Sequence, residues 1–111
     1  MFVTSQGSPY ARFRRALATG DLALIQASAT ELPRVGLDDA LQVCLLLRES
    51  GSDLYERAVV RWLGRFCLEA RGVALDDVRI AASAFAELPT APELAMERLA
   101  GVCHSYALDR G

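Results

Sequence analysis

Apolar residues recur along this chain at intervals of three and four, in six segments divided by Gly, Pro, Ser and Asp. That period predicts helices throughout. The first segment carries Tyr10, Phe13 and Leu17. It opens on Ser8-Pro9, a capping hydroxyl followed by Pro at the first helical position, and Gly20 ends it. Asp21 stands where it can cap a second helix with Leu22, Ile25, Ala29 and Leu32 on one face, stopped by Pro33. A third helix is expected from Asp38. Its set of Ala40, Leu41, Cys44, Leu45 and Leu47 is wide enough for burial on two sides. After Gly51, Ser52 is expected to cap the fourth helix, where periodicity is strongest: Tyr55, Val59, Trp62, Leu63, Phe66 and Ala70 fall on one stripe. Most of the core energy is expected along it.

Gly72 closes that segment, and Asp76 is expected to cap a fifth helix with Val78, Ile80, Ala81 and Phe85 apolar and Pro89 beyond its end. Thr90-Ala91-Pro92-Glu93 has the form of a capping box. The sixth helix is expected to run to about Leu108, with Ala95, Leu99, Val102 and Tyr106 on one face. Residues 1–7 are expected to form a flexible tail and residues 8–111 a single helical domain. The short connections favour antiparallel hairpins. The fold class is therefore all-α, with about six short helices in antiparallel hairpins, arranged as a short helical-repeat array or a compact orthogonal bundle.

Two echoes run through the pattern. Leu37-Asp38-Asp39 returns as Leu75-Asp76-Asp77, each followed by a Glu (Glu49, Glu87) at the same distance, and Glu31-Leu32-Pro33 returns as Glu87-Leu88-Pro89. The two offsets differ, so they define no single repeat period. The stretch from Phe13 to Leu32, two short helices around Gly-Asp, resembles one unit of the helix-pair repeats of HEAT, TPR and ankyrin arrays. The resemblance covers about a fifth of the chain. It is one of architecture alone, since the ankyrin Thr-Pro-Leu-His and the TPR Trp-Gly-Tyr signatures are both missing.

Composition adds constraints. Of the 52% hydrophobic residues eighteen are Ala, so the core is thinner than the percentage suggests, and the preponderance of Ala and Leu over Val, Ile and Thr favours helix. A net charge of −2 does not point to nucleic acid or to an anionic membrane. All 12 basic residues are Arg. A GC-rich bacterial genome produces that bias; so does selection for bidentate contacts that Lys cannot make. The first ten residues carry no signal-peptide pattern, and the apolar uncharged runs Leu22–Thr30 and Ala40–Leu47 are too short to span a bilayer. The expectation is a cytoplasmic protein with reduced thiols and no membrane partner.

Candidate chemistry is sparse. Cys44, Cys67 and Cys103 are odd in number and widely spaced, which is no disulfide framework. Their phases favour core packing. Cys103-His104 points two ligands in different directions from one helix, so no metal site is expected. His104, the only His, belongs to no recognisable triad. The Asp pairs read as helix-start carboxylates rather than catalytic ones. No phosphate-binding glycine loop occurs, and neither a cofactor nor enzymatic activity is expected.

One feature stands out. Arg57, Arg61 and Arg65 are spaced by four on the polar side of the fourth helix, with Asp53 and Glu69 continuing the spacing at either end. As a solvated face it would hold the salt bridges Asp53–Arg57 and Arg65–Glu69, leaving Arg61 for another helix. As a functional face it offers anion contacts to a partner, and Arg12, Arg14 and Arg15 would widen it if the first helix lay alongside. The expected function is a non-enzymatic protein–protein interaction module, an adaptor or regulator, with partner-binding residues Arg57, Arg61, Arg65, Arg12 and Arg15. A homo-oligomer is compatible with it. The alternative is a nucleic-acid-binding regulator using the same Arg-rich face, though no aromatic residue interleaves the Arg positions on the polar face.

Overall fold

The computed structural model describes residues 8–108; the tail expected at 1–7 lies outside them. Six helices follow one another: α1 (Pro9–Thr19), α2 (Leu22–Ala29), α3 (Leu37–Glu49), α4 (Tyr55–Glu69), α5 (Leu75–Glu87) and α6 (Pro92–Ser105). The described residues hold no strand, so the class is all-α.

The first two helices begin as their local chemistry dictates. The Ser8 hydroxyl accepts the Ala11 N–H at 2.9 Å, and Pro9 is the first helical residue. Gly20, at φ 73°, closes α1 in the left-handed region, and Asp21 accepts the N–H groups of Ala23 and Leu24.

Later starts differ from expectation. α3 and α5 begin at their Leu, one residue before the expected Asp, with Gly36 and Ala74 in the capping positions and no side-chain cap. The Asp pairs occupy the first turn instead, where the helix dipole still favours them. α4 begins at Tyr55, because the Ser52 hydroxyl accepts from Leu54 N–H and holds a preceding turn rather than the helix start. The capping box does not form: the Thr90 hydroxyl turns back to donate to the Glu87 carbonyl at 3.2 Å, and Ala91 takes the cap position. α4 ends at Glu69, short of Gly72, and α6 ends at Ser105.

The extensive helix pairings are α1 with α2, α3 with α4, α4 with α5, and α5 with α6, all between sequence neighbours. Cross-helix contacts run antiparallel. Just ahead of α3 the Val35 carbonyl accepts from Arg65 near the end of α4, while Tyr106 at the end of α6 reaches Asp77 at the start of α5. Burial divides into two clusters. The larger gathers Leu37, Leu41, Cys44, Val59, Trp62, Phe66, Phe85 and Leu99 from α3 to α6. The smaller holds Phe13, Ala16 and Ile25, flanked by Val43 and Leu46. α3 therefore serves both, as the width of its apolar arc predicts.

Within the larger cluster Trp62 is fully buried, stacked on Phe66 with centroids 5.3 Å apart and edge-on to Phe85 at 5.6 Å. Three expected core positions are not core. Tyr10 and Ile80 are exposed, and so is Cys67, because α4 is covered only along its Val59–Trp62–Phe66 face. No helix among the described residues is long and apolar enough to cross a membrane.

Candidate functional site

Burying Val59, Trp62 and Phe66 turns the opposite side of α4 outward. That side carries Arg57, Arg61, Gly64 and Leu68, in steps of four, three and four, with Val60 on its flank. Val60 is 63% exposed and Leu68 87%. Arg57 and Arg61 are both exposed, and among the described residues neither has a carboxylate within 4.0 Å. They line a shallow open depression with Asp53, Glu56 and Val60. The expected Asp53–Arg57 bridge is not formed among the described residues; Asp53 lies in the turn ahead of α4, outside the helical register that the spacing assumes.

Arg65 leaves the stripe. Its Nε donates to Glu69 at 2.7 Å, and one Nη donates both to Glu69 and to the Val35 carbonyl at 2.6 Å. Arg34 pairs with the same carboxylate at 2.6 Å. The four residues staple the end of α4 to the α2–α3 connection. Glu69's hydrogen bonds from Arg65, and then those from Arg34, hold its carboxyl below the ordinary value of 4.5 against the opposing pull of burial. The unfolded chain therefore takes up the proton first on acidification. Stability from this carboxylate is complete above pH 4.5 and drains as pH falls through the lower folded value. Glu69→Gln should lower stability by about 0.5–1 kcal/mol at neutral pH. The gap to wild type should close in acid, as read from thermal melts across pH; a gap that widened in acid would contradict this staple.

The basic residues of α1 are arranged differently. Arg12 pairs with Glu31, and Arg14 meets Asp39 at 2.5 Å. Arg15 is exposed on α1. α1 finds its extensive partner in α2, and α4 in α3 and α5, so no extensive helix pairing joins the α4 face to α1's arginines.

Sequence reasoning missed a pair of cross-helix tyrosine contacts. Asp39, only 3% exposed, accepts from Tyr10 at 3.0 Å on one oxygen and from Arg14 on the other. At the corresponding place in α5, Asp77 accepts from Tyr106 at 2.5 Å, and the Tyr106 oxygen accepts the Ala74 N–H. Tyr106 thus supplies from another helix the cap that α5 lacks; the hydrogen bond to Asp77 pushes the phenol pKa up. The signal was present as the doubled Leu-Asp-Asp, whose second Asp carries the contact each time.

The thiols divide. Cys44 and Cys103 are buried, and burial raises the Cys44 pKa to about 11, which leaves it protonated and unreactive at neutral pH. His104 is exposed on α6. No group of three or more His, Cys, Asp or Glu among the described residues is placed to hold a metal ion.

What the fold and this surface define is an all-α protein with an exposed helix face of paired arginines and apolar side chains. No family model matches the chain, and no curated protein or solved structure is significantly similar to it.

Proposed function

We propose that this chain is a non-enzymatic protein–protein interaction module, an adaptor or regulator, that engages an acidic partner surface through the outward side of α4. The observation that carries the reading is the pairing of Arg57 and Arg61 on adjacent turns, both exposed and without a carboxylate partner among the described residues, beside exposed Val60 and Leu68. Like charges at this spacing cost about 0.2–0.5 kcal/mol in an isolated helix. A partner carboxylate removes that cost, and a guanidinium binds it in two-pronged fashion. Arg beside apolar side chains is also the composition that protein interfaces favour.

A phosphate backbone fits less well. The chain's net charge is −2, which lacks the overall basic field of a nucleic-acid binder. The test is Arg57→Ala/Arg61→Ala in the full chain. Stability should move by less than about 1 kcal/mol, since exposed charges contribute little. Affinity capture from the native host, read by mass spectrometry, should lose a specific protein that the wild type retains. Unchanged capture would remove α4 as the contact with a foreign protein. Binding to generic DNA or RNA that falls with salt, with a log–log slope reduced by up to about 2 in the variant, would favour nucleic acid instead.

A further inference from the structure

A second outward helix face mirrors the first in spacing and opposes it in charge. α6 buries Ala95, Leu99, Val102 and Cys103, which turns Glu93, Glu97, Ala100 and His104 to solvent. These stand in steps of four, three and four, the same steps as Arg57, Arg61, Gly64 and Leu68 on α4. Met96, 39% exposed, flanks the α6 row three residues after its first member, as Val60 flanks the α4 row. Among the described residues neither Glu93 nor Glu97 has a basic group within 4.0 Å. Each face thus carries an uncompensated like-charge pair on adjacent turns, of opposite sign on the two helices.

We propose that these faces are the two halves of one contact: the α6 face of a second copy of this chain docks on the α4 face of the first. The inference rests on the reading of α4 as the interaction surface and names its partner. Laid parallel, the two rows bring Arg57 to Glu93 and Arg61 to Glu97. Laid antiparallel, with Arg57 against Glu97 and Arg61 against Glu93, the helices keep both charge pairs as well. Charge is satisfied in either direction; the position after the charges favours the parallel one, because the antiparallel register carries Gly64 past the start of α6. The next position pairs Gly64 with Ala100, two small residues that let helix backbones approach. The space over Gly64 is open, since a methyl group there would meet nothing within 4 Å. The contact joins unlike surfaces, so each protomer in a pair keeps one of each available, and association proceeds head to tail unless it closes. One helix pairing is small by the standard of stable interfaces, so the association is weak and visible only in concentrated solution.

Sedimentation velocity of the full chain at low salt, from micromolar to millimolar concentration, should show mass rising above the 12.0 kDa of the monomer. Added salt should reverse the rise. Arg57→Glu/Arg61→Glu makes both faces acidic, and Glu93→Arg/Glu97→Arg makes both basic. Each variant alone should stay monomeric, while an equimolar mixture should associate again, because each acidic face then meets a basic one. Circular dichroism and melting checks that both variants fold, and Arg57→Ala/Arg61→Ala stands in if the reversal does not.

A wild type that stays monomeric throughout overturns the proposal, as does a mixture that fails to associate or a reversed variant that associates like wild type. If the wild type is monomeric yet the α4 variant loses a foreign protein in affinity capture, self-docking falls and the reading of α4 as an interaction surface stands. If self-association follows the charges and no foreign protein is lost, the second copy is the partner.

Discussion

Trp62→Ala should destabilise the protein by about 3–5 kcal/mol, the range for removing a fully buried aromatic side chain. The side chain is 1% exposed and is enclosed by Phe66 and Phe85. Its indole N–H donates to the Leu37 carbonyl at 2.8 Å, tying α4 to the first turn of α3. Truncation removes the ring contacts, leaves a cavity between helices and breaks that tie. Trp62→Phe separates the contributions: it keeps most of the apolar volume and loses the hydrogen bond, so it should cost about 1–2 kcal/mol. Urea denaturation followed by far-ultraviolet circular dichroism measures both. An alanine variant within about 1 kcal/mol of wild type would mean that Trp62 is not the anchor of the core.

Phe13→Ala should have an effect of similar size confined to one end of the molecule. The smaller cluster has only Phe13, Ala16 and Ile25 fully buried, and Phe13 is much the largest of them. Its loss should remove about 3–5 kcal/mol from the docking of α1 on α2. The larger cluster contains no residue of α1 or α2, so it should keep its packing. The expected result is local opening: faster hydrogen exchange across α1 and α2, with exchange in α4 unchanged and Trp62 emission still that of a buried indole. The contacts of Asp39 with Tyr10 and Arg14 remain as a tether, which favours fraying over detachment. Simultaneous loss of protection in α4, with red-shifted emission, would show that the two clusters melt as one unit.

The legible part of the fold is the part whose causes lie within a few residues. Ser8-Pro9 and Gly20-Asp21 set helix boundaries through hydrogen bonds spanning two or three positions, and they stand where the sequence put them. The Tyr55–Trp62–Phe66 stripe was legible for the same reason: helical spacing alone assigns residues to one side. Where expectation failed, a competing bond had formed. Thr90 found the Glu87 carbonyl behind it instead of the helix ahead, and Ser52 closed a turn of its own. Cys67 was misplaced because its phase lies at the margin of the buried arc, where only the position of the neighbouring helices decides exposure.

The candidate site divides along the same line. Sequence by itself determined that α4 is a helix, that Trp62 and Phe66 share its inner side and that Arg57 and Arg61 share its outer one, because a period of 3.6 residues fixes direction around the axis. It also determined that Arg65 could pair with Glu69 one turn on. Only the tertiary structure decided that Arg65 is withdrawn from the stripe, since the Val35 carbonyl and Arg34 that complete its staple come from the α2–α3 connection. Only the tertiary structure paired Asp39 with Tyr10 and Asp77 with Tyr106, and left Arg57 and Arg61 facing solvent without a carboxylate among the described residues. Spacing along a helix says which way a side chain points; what it meets there depends on how separate helices pack, and the chain carries no local record of that.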